Sequence, residues 1–252
     1  MYYGERKWPE MPDQRDKVVV LPLGSMEQHG HHLPLLTDTI NLQEVVRRAE
    51  IDLGDEALFL PVLWVGLSEH HRGFPGTVSV PQETYVRLLV DLVECLIGNG
   101  FRRIMLLNGH GGNSTPGQAA LYDVRMRHRE ERDLWLVFTT WFSLAAPEIA
   151  EIPELVQKRV SHASELETSM ILRLRPELVD LDAARGTGDG SSSGRPSRVS
   201  APRPFDQSTQ TGALGHPERA TPEKGESIFA AATKEVVAAV REIAGWQVVE
   251  PR

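Results

Sequence analysis

The chain has 252 residues, of which 40% are hydrophobic and 25% charged, values typical of a globular protein with a sizeable core. Its formal net charge of −8 argues against nucleic acid or an anionic membrane as a partner, because both call for a basic surface. Since the first residues lack the apolar core of a secretory signal and no apolar run is long enough to span a bilayer, we expect a soluble, cytoplasmic protein.

Strand and helix patterns alternate along the chain with short links. They predict strands at 18–23, 57–65, 104–107 and 134–140, and helices at 41–51, 81–98, 115–131, 154–159, 164–175 and 222–244. Alternation of this kind predicts a parallel sheet with helices on both faces. In such folds ligands bind beyond the carboxyl ends of the strands.

The only cysteine, Cys95, lies in an apolar helical pattern, which predicts a buried, inert thiol. A single cysteine also excludes an intramolecular disulfide.

Three ionisable side chains follow the first predicted strand, which ends at Gly24. Glu27 and His29 point the same way if the chain stays extended, because side chains two apart share a face. Asp38 comes just before a helix that we expect to begin near Ile40. Carboxylate and imidazole groups that converge at a strand end have the composition of a metal site. The nearby histidines at 31 and 32 are interpreted as neighbours of this site or bystanders.

The segment NGHGGN follows the third predicted strand and places His110 between glycines. Glycine lets a backbone turn sharply and approach a ligand closely, so one interpretation is a phosphate-binding loop. The segment has neither dinucleotide-binding nor Walker spacing, and it contains no lysine. A further metal ligand at His110 therefore fits the fold better.

The segment SHASELETSM opens the helix predicted at 164–175. Ser164 and Glu167 match a capping box, so Glu167 has a purely structural interpretation. However, Glu167 precedes Met170 by three residues and so lies on the apolar face, where a carboxylate needs a compensating partner such as a metal ion. We favour the ligand over the cap. His162, just before the helix, is a candidate proton donor or acceptor.

Two loops are candidates for shaping a substrate pocket. In SEHHRGFPGT, the pair His70 and His71 belongs either to a surface loop or to the pocket. The Gly-, Ser- and Pro-rich stretch at about 186–204 predicts a flexible loop or lid. No repeat or domain boundary is evident, so residues 1–252 are expected to form a single domain that carries this insertion.

Together these motifs resemble the creatininase family of metal-dependent amidohydrolases, in its NGHGGN branch. The resemblance rests on E-Q-H-G with an aspartate eleven residues after the glutamate, on NGHGGN, and on H-x4-E-T-S. TGALGHPERATPEKG and SEHHRGFPGT resemble two further segments of the family. The resemblance implies a three-layer α/β/α sandwich with a mostly parallel central sheet, often assembled as a homo-oligomeric hexamer. It also implies two divalent ions in one site, which could be Zn, Mn or Fe.

The resemblance assigns ligands by position. Glu27 and His110 would hold one ion and His29 the other, with Asp38 bridging them. Glu167 is expected to complete the second ion's ligands.

This chain departs from creatininase proper at two positions. Gly112 stands where creatininase has a metal-binding glutamate, and Ser161 stands where it has a glutamate before the histidine of the third motif. Both differences argue against creatinine itself as the substrate. Other branches that resemble this pattern cleave formamides or release a residue from a small peptide.

The expected activity is hydrolysis of a C–N amide bond in a cyclic amide, a formamide or a small peptide, by a hydroxide that bridges two divalent ions. One ion would stabilise the oxyanion, and His162 would protonate the leaving nitrogen. Glu167 would act as second-ion ligand or as general base. The pocket is expected to include His71, Gly111, Gly112 and Asn113.

Two other functions fit the sequence less well. One is a non-catalytic regulatory module that binds a metal or ligand on the same scaffold. The other is a phosphate-ester hydrolase, since two-metal sites serve that chemistry too, although few basic residues lie near the motifs.

Overall fold

The computed structural model describes residues 1–188 and 202–248. Within them, the strands are β1 (Val18–Leu23), β2 (Ala57–Phe59), β3 (Arg103–Asn108) and β4 (Trp135–Thr140). These four parallel strands form one sheet in the order β2-β1-β3-β4. Every residue of β1 is buried, as expected for a central strand covered on both faces. The predicted α/β class with a parallel sheet is confirmed.

Helices cover both faces of the sheet, because alternate β1 side chains point to opposite sides. Val18 and Val20 pack in one core with the helices at 37–53, 165–174 and 222–244, whereas Val19 and Leu21 pack in a second core with the helices at 82–98 and 114–127. The helices are α1 (Thr37–Leu53), α2 (Gln82–Gly98), α3 (Ser114–Arg127), α4 (Trp141–Leu144), α5 (Ala146–Ala150), α6 (Glu165–Leu174) and α7 (Pro222–Ala244).

The predicted first residue is correct for helix α7 but not for helix α1. The Thr221 side chain accepts a hydrogen bond from the Lys224 N–H and so caps α7, with Pro222 at the first helical position. Helix α1 begins at Thr37, earlier than predicted, so Asp38 lies in its first turn and not before it.

Three predicted elements were wrong. Strand β2 ends at Phe59, not at 65, and the chain beyond it makes only isolated bridges, such as Leu23 with Leu63. No helix forms at 154–159, because the buried Glu165 carboxylate accepts hydrogen bonds from the N–H groups of Val156 and Gln157. The short helices α4 and α5 form instead in residues 141–150, and α3 ends at Arg127 before the predicted 131.

Cys95 is exposed, so the prediction of a buried thiol was wrong. Helix α2 buries Leu89, Val93 and Leu96, and Cys95 projects from the opposite side of the turn. Most of the predicted lid at 186–204 lies outside the described residues, which omit 189–201. Across 1–188 and 202–248, no helix is long and apolar enough to cross a membrane.

Candidate metal centre

One end of the sheet gathers the ionisable side chains that the sequence singled out. Residues after β1, after β3, at the start of α1 and around the start of α6 meet there. Within the described residues, three overlapping groups could each hold a metal ion. They comprise Glu27–Asp38–His110, His29–His162–Glu167 and Glu27–His71–His162. All five predicted ligands are therefore close together, and His71 and His162 join them.

Asp38 lies between two imidazoles. Its Oδ1 atom is 3.1 Å from His29 Nε2, and its Oδ2 atom is 3.0 Å from His110 Nδ1. Ser25 Oγ donates a hydrogen bond of 2.7 Å to Oδ2 and orients the buried carboxylate. A carboxylate with one oxygen toward each of two histidines has the arrangement of a bridging ligand.

In each of these two rings, the nitrogen that does not face Asp38 donates a hydrogen bond to a backbone carbonyl. His29 Nδ1 donates to the Glu27 carbonyl at 3.1 Å, and His110 Nε2 donates to the Leu67 carbonyl at 3.0 Å. A carbonyl can only accept, so these nitrogens carry protons and the other nitrogen of each ring faces Asp38. Either a second proton or a metal cation must therefore lie between each ring and the Asp38 carboxylate. Metal-binding histidines typically donate the proton of their other ring nitrogen to a carbonyl or carboxylate, as His29 and His110 do here.

Glu27 is fully buried, and neither of its carboxylate oxygens has a hydrogen-bond partner in the described part of the chain. Its Oε2 lies 3.2 Å from His110 Nε2, and its Oε1 lies 3.2 Å from His71 Nε2 and 3.5 Å from His162 Nδ1. A buried carboxylate without hydrogen bonds is strongly unfavourable unless a cation compensates it. The donor set of carboxylates and imidazoles therefore fits a divalent ion.

Glu167 points into the site and is not engaged in the predicted capping box. The Ser164 side chain makes no capping hydrogen bond, and Glu167 Oε2 accepts from the Ala163 N–H at 2.6 Å. The same oxygen is 3.9 Å from His29 Nε2. Ala163 adopts a positive φ of 50°, which L-residues rarely do, and this turn brings its N–H toward the carboxylate.

The side chains divide into groups of opposite acid–base character. Burial raises the pKa of Glu27, but the nearby His110 outweighs it and lowers the pKa to about 2. Burial lowers the pKa of His29, but its carboxylate neighbours raise it to about 9. Burial raises the pKa of Glu167 to about 8, and burial lowers the pKa of His162 well below its usual value. Two carboxyl groups and two imidazoles with separated pKa values are typical of acid–base sites.

A cavity of about 260 Å³ opens beside these residues. Phe205, which the sequence did not single out, closes it with ring centroids 4.4 Å from His71 and 4.7 Å from His162. The lining comprises Glu27, Asp38, His70, His71, Gly109, His110, Gly111, Gly112, Phe142, Val160, Ser161, His162, Glu167 and Phe205.

Asn113 differs from the other predicted pocket residues, because its side chain faces away from the cavity. Its Oδ1 accepts from the Leu67 N–H and its Nδ2 donates to the Gly24 carbonyl, both at 2.9 Å. The side chain thus joins the loops after β1, β2 and β3, and we do not retain it as a substrate-binding residue.

Gly112 is enclosed on the side where a side chain would begin. A Cβ atom there would lie 2.1 Å from the Leu67 carbonyl oxygen and 2.4 Å from His110 Nε2. Such contacts are impossible without movement of the backbone. This structure therefore has no room for a glutamate at position 112.

Several residues around the site gave no separate signal in the sequence. Gln28 lies inside the first motif but contacts three distant segments, through the side chains of His71 and His162 and the backbone carbonyl of Gly212. Phe205 follows a low-complexity stretch, which predicts nothing about it. Of the two bystander candidates, His32 is buried with Nε2 2.9 Å from Thr168 Oγ1, and His31 is exposed.

Known proteins of one family are similar to this chain along nearly its whole length. A family model described as creatininase, creatinine amidohydrolase, matches residues 4–240. A creatinine amidohydrolase from Pseudomonas putida is 30% identical over 257 residues, which cover 96% of each protein. A mycofactocin precursor peptide peptidase from Mycobacterium tuberculosis is 32% identical over 241 residues, which cover 90% of this chain and 85% of the relative.

The solved structures that resemble this fold include several creatininases. A crystal structure of creatininase superposes with a TM-score of 0.82 at 26% identity and covers 98% of both chains. One solved creatininase is described as an Mn form (TM-score 0.80, 27% identity, 96% of this chain and 97% of that chain). A creatininase variant is described as Zn-Zn type, with 28% identity and otherwise the same values.

Proposed function

Because this chain belongs to the creatininase family and is a metal-dependent amidohydrolase, we propose that it hydrolyses a C–N amide bond of a small substrate in this site, which would hold two divalent ions. The proposed ligands are Glu27 and His110 for one ion, His29 and Glu167 for the other, and Asp38 for both. The observation that carries the proposal is Asp38, which has one oxygen toward His29 and the other toward His110. Since relatives are described with Mn or Zn, we expect Mn, Zn or Fe here.

The residues of this chain would supply binding and proton transfer. When bound, two divalent ions would lower the pKa of a water molecule toward neutrality and stabilise the charge that develops on the carbonyl oxygen. His162 is half-buried and lines the cavity, so it can take a proton and return it to the leaving nitrogen. Glu167 either binds the second ion or holds a proton, which its raised pKa of about 8 permits. Phe142, Val160 and Phe205 exclude water from the reacting group.

The cavity favours a small substrate. Its volume of about 260 Å³ lies below the roughly 300–1,000 Å³ of sites for drug-sized ligands. Gly112 and Ser161 distinguish the site from creatininase proper, so we propose a cyclic amide, a formamide or the end of a short peptide in place of creatinine. The relative that acts on a precursor peptide supports the last class. We further propose a single cytoplasmic domain that assembles as a homo-oligomer, by family resemblance a hexamer.

Metal analysis combined with an amide panel tests the proposal. The purified protein should contain divalent ions and cleave at least one lactam, formamide or short peptide. The Asp38→Asn variant should lose bound metal and more activity than the roughly 10–100-fold that loss of an outer hydrogen-bond partner costs. The Asp91→Asn change serves as the matched control, because Asp91 is exposed on α2 and pairs with Arg87 on the same helix.

Two results would contradict the proposal. A protein free of divalent ions and indifferent to their addition would remove its basis. A metal-loaded protein that is inactive on every amide would favour the binding module, and activity on a phosphomonoester alone would favour the other hydrolase class.

A further inference from the structure

The side-chain amide of Gln28 has a fixed orientation. Its Oε1 accepts from the Gly30 N–H at 2.9 Å, and its Nε2 donates to the Gly212 carbonyl at 3.1 Å. A backbone N–H can only donate and a backbone carbonyl can only accept, so the two contacts determine which end of the amide is oxygen. Gln28 is buried between the proposed ligands Glu27 and His29.

Two imidazoles contact the nitrogen end of this amide. His71 Nδ1 is 2.8 Å and His162 Nε2 is 2.9 Å from Gln28 Nε2, and His162 Nε2 is also 2.8 Å from the main-chain carbonyl oxygen of Gln28. The amide nitrogen has two protons, and the carbonyl of Gly212 takes one.

One assignment satisfies more of these contacts than its opposite. His162 Nε2 donates its proton to the Gln28 carbonyl, and the remaining amide proton goes to His71 Nδ1, so the 2.9 Å approach of His162 Nε2 to Gln28 Nε2 is not a hydrogen bond. The opposite assignment sets a lone pair of His162 against the carbonyl oxygen and leaves His71 Nδ1 with a proton facing an amide N–H, so two contacts become repulsive.

The two rings then present opposite groups to the cavity. His71 Nε2 carries a proton 3.2 Å from Glu27 Oε1, whereas His162 Nδ1 carries a lone pair 3.5 Å from the same oxygen. The ring centroids are 4.3 Å apart, so one wall of the cavity offers a hydrogen-bond donor beside an acceptor.

We propose that Gln28 is a positioning residue that sets the tautomers of two histidines, that of His71 through its side-chain amide and that of His162 through its main-chain carbonyl. This inference rests on the proposed amide hydrolysis for its consequence, in which His162 accepts and returns the proton at Nδ1. In that step the proton leaves the attacking water, bonds to Nδ1 and then passes to the leaving nitrogen as the C–N bond breaks, so the ring ends unchanged. His71 keeps its proton on Nε2 and faces Glu27.

Gly212 allows the backbone to approach the Gln28 side-chain amide closely. Its φ of +78° favours glycine, and a Cβ atom there would lie 2.0 Å from Gln28 Oε1. The segment TGALG therefore brings its backbone into contact with the first motif, although the two are more than 180 residues apart. This contact explains why position 212 carries glycine.

The ring nitrogens of the zinc-loaded protein report the tautomers directly by ¹⁵N NMR. In the wild type, we expect both His71 and His162 to carry the proton on Nε2. Gln28→Met keeps the length of the side chain and removes the amide, so His71 should shift to a mixture of tautomers. The main-chain carbonyl of Gln28 remains in this variant, so His162 should keep its proton on Nε2. We expect kcat to fall by no more than about 10–100-fold through the changed His71, with KM and zinc content unchanged. Gln43→Met, the same change at an exposed position on α1, is the control and should alter none of these quantities.

Three results would overturn the inference: a wild-type His162 with its proton on Nδ1, an unchanged His71 spectrum in Gln28→Met, or loss of zinc in parallel with kcat. The wild-type spectrum suffices even if the variant fails to fold. The tautomers are measured without turnover, so a protein that cleaves no amide would contradict the proposed function and leave this test of Gln28 intact.

Discussion

Gly111 and Gly112 are adjacent glycines in the same motif, yet they face different surroundings. A Cβ atom at Gly112 would overlap the carbonyl of Leu67, whereas a Cβ atom at Gly111 would meet nothing within 4 Å. The carbonyl of Leu67 also accepts the hydrogen bond from His110. The motif therefore requires glycine at 112 for a packing reason that does not apply at 111.

We predict that Gly112→Ala destabilises the protein by at least about 1–3 kcal/mol, as overpacking of buried positions does. Because the clash displaces the loop that orients His110, metal content should fall as well. Urea unfolding and metal analysis measure both effects, with Gly111→Ala as the matched control. Equal effects of the two substitutions would show that the Leu67 carbonyl does not enforce glycine.

At the scale of elements, a buried ion pair holds the segment before α6. Glu165 accepts hydrogen bonds from the Val156 and Gln157 N–H groups and from Lys224 Nζ on α7 at 2.6 Å. Its side chain is fully buried. Since His162 lies between the two ends of this link, the same contacts hold the proposed proton carrier in place.

We predict that Glu165→Ala destabilises the protein by about 3–5 kcal/mol, because a lysine and two backbone N–H groups lose their partner. The exposed pair of Lys234 and Glu148 provides the control, and Lys234→Ala should change stability far less, because water already solvates both charges. Chemical denaturation measures both. A loss in Glu165→Ala no larger than in Lys234→Ala would contradict the structural role.

A second link joins the end of α3 to α2 and depends on pH. His128 Nδ1 lies 2.6 Å from Glu131 Oε1, and its Nε2 lies 2.7 Å from Glu94 Oε2 on α2. The hydrogen bonds to Glu131 and Glu94 raise the pKa of His128 above its usual value. A group whose pKa is raised on folding stabilises the protein fully below its unfolded pKa, and the stabilisation is lost as pH rises through the folded pKa.

We therefore predict that the wild type is more stable than His128→Gln near pH 6, by up to about 1 kcal/mol, and that the difference shrinks at higher pH. Urea denaturation of both proteins across this range isolates the His128 contribution, because all other titrating groups are common to both. A difference that stays constant or grows with pH would contradict the assignment.

At the scale of the whole molecule, the metal centre joins segments from most of the chain length. Its proposed ligands follow β1 and β3 and begin α1 and α6, so bound ions would connect both central strands to two helices. Buried carboxylates such as Glu27 would lose their counter-charge if the ions were removed.

We predict that chelation lowers Tm by at least about 5–10 °C, the shift expected if a single ion at 100 times its Kd contributes about 2.7 kcal/mol. Re-addition of Zn²⁺ or Mn²⁺ should restore Tm. Calorimetry measures the shift, and Glu27→Gln, which lacks a proposed ligand, should respond less to chelation. An unchanged Tm in the wild type after verified metal removal would argue against a structural contribution of the ions.

The sequence alone predicted the parallel α/β sheet and the residues that meet at its end. Both depend on local patterns, since apolar runs form the strands and Glu27, His29 and His110 directly follow two of them. Parallel strands end at the same edge, so residues that follow different strands come together without further information.

Only the tertiary structure decided which neighbours each residue acquires. Glu165 takes the N–H groups that a predicted helix would have used, Asn113 binds loop backbone and not the cavity, and the Leu67 carbonyl fills the space beside Gly112. These outcomes depend on contacts between segments that are far apart in the chain. The local sequence pattern does not predict such contacts. The same holds for Gln28, whose amide is oriented by a glycine more than 180 residues away.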